Sequence, residues 1–168
     1  MKKTLGSVFL LRTFVQEHKS PLASGMRGRR MTTSYKEELR QTGQCFVQTK
    51  GISMEPLLHA ELSTVLIVKP DRPLRKMDIV LYESDDHTLI LHRIWKLYPD
   101  RLLLRTDYGL TREWIRRDQV LGVAAGFFRD DSNHFTKAGS IEERMYCGKL
   151  HLRLLSKKMK GYDKTDEK

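Results

Sequence analysis

From Gly43 onward the apolar residues come in short runs rich in Val, Ile, Leu and aromatic side chains, each closed by residues that favour turns. Cys45-Phe46-Val47-Gln48-Thr49 reads as a strand, and further strands are predicted at 62–69, 77–83, 87–97, 101–106 and 119–129. The segments Lys69-Pro70-Asp71-Arg72-Pro73, Ser84-Asp85-Asp86 and Tyr98-Pro99-Asp100 separate them. Six short strands at this spacing predict a mainly β fold, a coiled antiparallel sheet or partial barrel, rather than a doubly wound α/β sheet. Short helices flank the sheet. Ser34 with Glu37 and Glu38 opens one that Gly43 ends, and Ser140 with Glu143 opens another that carries Ile141, Met145, Leu152 and Leu155. That second segment, 137–160, has two readings: a helix packed on the sheet with a basic end at Lys157, Lys158 and Lys160, or an interfacial helix suited to anionic headgroups.

The ends differ from the middle. Residues 1–32 show no clean periodicity and form a basic extension, predicted to be flexible through Ser24-Gly25-Met26-Arg27-Gly28-Arg29-Arg30. The apolar run Leu5–Leu11 stops at Arg12 and is too short to span a bilayer, which takes about 20 residues. The polar residues 161–168 are predicted to be disordered. The single domain is therefore 33–136, and 39% apolar residues in a 168-residue chain suffice for its core.

Charge changes the picture of partners. Of the formal net charge of +10, residues 1–50 hold ten Lys/Arg against three Asp/Glu, and 137–168 hold nine against five. The middle, 51–136, holds twelve against thirteen and is nearly neutral. A nucleic-acid enzyme would carry its charge along the working face, so no nucleic acid is expected. Basic flanks are either plain solvated charge or suited to peripheral contact with an anionic membrane. Cys45 and Cys147 have no metal-ligand spacing and read as reduced thiols of a cytoplasmic protein; the histidines show no ligand spacing either, and no metal or cofactor is expected.

The candidate chemistry begins at Gly51-Ile52-Ser53-Met54-Glu55-Pro56, where Pro56 stiffens the chain after Ser53 and Met54 can plug into the core to aim the hydroxyl. Downstream come Asp78-Ile79-Val80-Leu81-Tyr82, Leu91-His92-Arg93-Ile94, Arg105-Thr106-Asp107 and Val120-Leu121-Gly122. In order and spacing, Gln44 to Phe128 resembles the catalytic domain of type I signal peptidases and LexA-type self-cleaving repressors, in particular the endoplasmic-reticulum-type branch, which has His-Arg where other members use lysine. The resemblance implies Ser53 as nucleophile, His92 as general base and Asp107 as the acid that orients the histidine, with Glu113 and Asp118 as alternatives from the following loop. An imidazole of ordinary pKa, roughly 6.5, is mostly neutral at neutral pH and can accept a serine proton. The sequence departs from the family pattern at Gly51, where a side-chain oxyanion donor often stands, and at Met77 and Thr106, where the family has Gly. The expected function is that of a serine endopeptidase whose Ser-His dyad cuts an extended signal or leader peptide bound as an added β-strand. Two alternatives remain: a catalytically degenerate peptide-binding module of the same fold, and a self-cleaving regulator, although about forty residues with one helix cannot supply a helix-turn-helix domain.

Overall fold

A computed structural model describes residues 14–15, 34–109, 111–130 and 133–159. The expectations for Leu5–Leu11, the 24–30 linker and the tail from Gly161 lie outside the described residues. In chain order the elements are β1 (Phe14–Val15), α1 (Tyr35–Thr42), β2 (Gln44–Lys50), β3 (Thr64–Val68), β4 (Ile79–Glu83), β5 (Leu89–Leu97), β6 (Arg101–Arg105), β7 (Arg112–Arg116), β8 (Val120–Phe128), β9 (Phe135–Lys137) and α2 (Ile141–Met159). The mainly β class is as expected: one curled antiparallel sheet forms a half-barrel flanked by two helices.

All six predicted strands are present, as β2, β3, β4, β5, β6 and β8. Three others were not anticipated. β7 occupies what reads as a loop, because Arg112-Glu113-Trp114-Ile115-Arg116 buries only Ile115 and alternates too weakly to announce itself. β9 is a three-residue addition to β8, and β1 places two residues of the supposedly flexible extension in the sheet.

Strand order is β1-β2-β3-β8-β4-β5-β6-β7, with β9 on β8, and β1 pairs with β5 as well as β2. The circuit β1-β2-β3-β8-β4-β5 is therefore closed, and β1 is the stave that closes it. Its register puts Phe14 opposite both Lys50 of β2 and Ile90 of β5. The other edge carries the β5-β6-β7 meander, in which Arg93 pairs with Arg105 and Leu104 with Glu113.

Curling buries both faces of the central strands, which explains why Leu89-Ile90-Leu91-His92-Arg93-Ile94 is an unbroken buried run. One core holds Val47, Val65, Ile67, Leu81, Leu91 and Phe127. A second holds Val80, Tyr82, Ile90, Ile94, Leu102 and Leu104. With a side-chain period of two, His92 shares a face with Ile90 and Ile94, while Arg93 takes the opposite face.

The helices cap the sheet. α1 buries Tyr35 and Leu39; Ser34 makes no side-chain cap, and the Glu38 N–H bonds the Ser34 carbonyl instead. Gly43, at φ 79°, ends the helix. α2 corrects the expected packing face, because Leu150 and Leu154 are buried whereas Ile141, Met145, Leu152 and Leu155 are exposed.

Candidate active site

The Ser53 turn is built by backbone geometry. Gly51 leaves β2 at φ 77°, a left-handed conformation that glycine adopts without strain. A serine there would be strained, which gives a physical reason for the missing side-chain oxyanion donor. The Glu55 N–H then donates to the Ile52 carbonyl at 3.1 Å, and the Leu57 and Leu58 N–H groups donate to the Met54 carbonyl at 3.0 and 2.9 Å. Met54 is fully buried beside Leu57 and Leu58, as the plug expected for this turn. Ser53 is itself fully buried. Its carbonyl accepts the Tyr108 N–H at 3.0 Å. Tyr108 follows β6 by three residues, so this bond ties the Ser53 turn to the connection between β6 and β7.

His92 lies buried in β5 with Nδ1 3.2 Å from the Tyr82 hydroxyl. The register Val80 to His92 sets Tyr82 diagonally across on the same face. Tyr82 donates its hydroxyl proton to Glu113 Oε2 at 2.6 Å. A phenol has only one proton to give, so with Glu113 ionised the tyrosine oxygen accepts at Nδ1, and in the neutral imidazole the proton then sits on Nδ1 and the lone pair on Nε2. The direct separation of 3.7 Å between Nδ1 and Glu113 exceeds a hydrogen bond, so the carboxylate reaches the imidazole through Tyr82.

The orienting acid expected from the resemblance, Asp107, is placed otherwise. Both its oxygens accept from Arg93, Nε at 2.8 Å and Nη2 at 2.9 Å, in a buried bidentate pair. That geometry uses the carboxylate to neutralise an arginine on the face opposite His92. Asp118, the second alternative, pairs with Arg116 on the surface. Glu113 is the acid that the β6–β7 hairpin brings to the histidine, from a strand rather than a loop.

Around Arg93 the buried cluster extends to α2, where Glu143 Oε1 accepts at 3.3 Å and Cys147 Sγ lies at 3.4 Å; the Met77 carbonyl accepts a further bond at 2.7 Å. Burial opposes the Arg93 charge, but Asp107 and Glu143 outweigh it and raise its pKa. Burial likewise pushes up the Tyr146 hydroxyl and the Cys147 thiol. The two other departures from the family pattern also have local roles. Thr106 Oγ1 accepts the Gly109 N–H at 3.1 Å and closes the β6–β7 turn, while Met77 sits at φ 76°, a position where glycine would be unstrained.

The sequence reads Glu143 as a capping residue, Cys147 as a reduced thiol and Tyr82 as part of a strand, and assigns none of them to the site. Tyr82 was within reach: counting back from the Ser84–His87 turn pairs Val80 with His92, and the tyrosine follows two positions on. The long-range partners Glu143 and Cys147 left no such signal. Among the described residues no group of His, Cys, Asp or Glu could hold a metal ion. Of the other described histidines, His59 pairs with Asp130, His87 with Glu83 and His134 with Glu142, while His151 stacks on Trp95. The Ser53 hydroxyl thus sits on a constrained turn after β2, and β5 carries a buried imidazole whose Nδ1 meets the Tyr82 hydroxyl. Comparison with known proteins finds no family model, curated protein or solved structure that matches the chain.

Proposed function

We propose that this protein is a serine endopeptidase of the signal-peptidase and LexA-type superfamily, in which Ser53 attacks the peptide carbonyl and His92 is the general base. The observation that carries the reading is the Glu113–Tyr82–His92 relay, since it leaves Nε2 as the basic nitrogen of a buried imidazole. In the proposed step Nε2 takes the Ser53 proton as the hydroxyl oxygen bonds to the carbonyl carbon, and the imidazolium then protonates the leaving amine. Tyr82 and Glu113 stabilise that imidazolium, and the Ser53 N–H donates to the oxyanion.

The substrate is a peptide in extended form, and the seat for it is the gap between β2 and β5. In the described state β1 fills this gap by antiparallel pairing at Thr49 and Lys50, just before the Ser53 turn. A substrate strand using the same main-chain bonds displaces β1. The full burial of Ser53 favours a second reading, a peptide-binding module without turnover.

A fluorophosphonate probe separates the two. The endopeptidase reading expects covalent labelling at Ser53, mapped by mass spectrometry, and none in Ser53→Ala. Peptide binding without labelling, in both the whole chain and a form lacking residues 1–33, would establish the binding module. The labelling rate should rise with pH as the imidazole deprotonates and then level; a continued climb above roughly pH 9 would point to a lysine base instead.

A further inference from the structure

We infer that α2 lies in the plane of an anionic lipid surface, docked through the outward stripe Ile141, Met145, Leu152 and Leu155. These four side chains are 77%, 60%, 68% and 44% exposed, whereas Leu150 and Leu154 on the other side are 4% and 3% exposed. At 100° per residue the four outward positions fall within an arc of about 80°, and the buried pair points the opposite way. A helix that only has to cover a sheet needs one apolar face. This one has two, and packing within the described fold accounts for one of them.

Charge selects the occupant. From Arg144 to Lys160 the chain has six Lys/Arg and no Asp/Glu. Favourable interaction with the helix dipole accounts for cations in the last turn, but Arg144 and Lys149 lie in the first half of α2. α2 itself holds five Lys/Arg against Glu142 and Glu143, so two copies pairing through this stripe would set like net charge against like, which disfavours a homodimer. An anionic bilayer offers apolar depth and opposite charge together. No helix among the described residues is long and apolar enough to cross a membrane, so the contact is interfacial. The buried face of α2 meets Arg93 through Glu143 and Cys147, so docking turns that face of β5, the one opposite His92, toward the lipid. The inference does not depend on Ser53 being catalytic.

The test is sedimentation of the full chain with phosphatidylcholine vesicles with and without phosphatidylserine. Binding to the anionic vesicles alone is expected, weakening as salt shortens the screening length. The double variant Ile141→Ser, Leu152→Ser should bind at least about tenfold more weakly, and Lys149→Glu should weaken binding by at least roughly fivefold. Both changes are at exposed sites, and unchanged thermal melts will show that the fold is intact. Equal binding to neutral and anionic vesicles, or unaltered binding by the double variant, overturns the inference. So does a dimer in light scattering that the double variant dissolves, because the stripe would then be an interface between copies.

Discussion

Asp107 and Glu113 carry the same charge and stand near the same strand, yet the structure assigns them opposite duties. Asp107 compensates the buried Arg93, while Glu113, still partly exposed, reaches His92 through Tyr82. Removing one partner of a fully buried pair leaves an uncompensated charge, at a cost of about 3–5 kcal/mol. Asp107→Ala should therefore lower the midpoint of thermal or urea unfolding sharply, whatever happens to activity. Glu113→Gln should do the reverse: near-parental unfolding, but Ser53 labelling slower by roughly 10- to 100-fold, because the neutral amide no longer stabilises the imidazolium. A Glu113→Gln variant as fast as the parent would remove the relay from the mechanism. At Met77, relief of the positive φ in Met77→Gly should raise stability by about 0.5–1 kcal/mol, less the entropy glycine adds to the unfolded chain.

Among the elements, β8 and β1 make the sharpest demands. A methyl group on Gly122 of β8 would meet Ile67 Cγ2 at 2.4 Å and the Val68 carbonyl at 2.9 Å, with Leu39 of α1 at 3.2 Å. The conflict with backbone cannot be relieved by a rotamer change, so Gly122→Ala should cost about 1–3 kcal/mol, read from the urea midpoint. β1 is held by two residues only, at Lys50, Thr49 and Ile90, and is the weakest stave of the closed circuit. Deleting residues 1–33 should open the gap beside Ser53 and accelerate fluorophosphonate labelling while the rest of the sheet melts cooperatively as before. Slower labelling of a well-folded deletion would mean that β1 completes the site instead of filling it.

For the whole molecule, the buried Cys45 thiol supplies a pH signature. Burial, helped by the Glu38 carboxylate, pushes the Cys45 thiol up to about 12. Below the ordinary thiol range, near roughly 8.5, folded and unfolded chains are both protonated there and nothing is gained or lost. Above it the unfolded chain releases the proton and the folded one retains it, so this group lowers stability as pH rises toward about 12. Native protein at pH 8 should react with Ellman's reagent at Cys45 only on unfolding, and between pH 8 and 10 the parent should lose more stability than Cys45→Ala. Rapid reaction of Cys45 in the native state would contradict the burial.

Local pattern was enough for the mainly β class, the six main strands, the α1 stop at Gly43 and the Met54 plug after Ser53, since each depends on period, turn chemistry or glycine freedom within a few residues. Tertiary structure alone decided that Glu113 rather than Asp107 meets His92, because hairpin register determines which acid shares its face. It also chose Leu150 and Leu154 over Leu152 and Leu155 as the packed side of α2, both pairs being equally apolar in the sequence. The seating of Phe14–Val15 between β2 and β5 was just as invisible. Two residues carry no periodicity, and the bonds that hold them come from strands brought together only when the sheet curls.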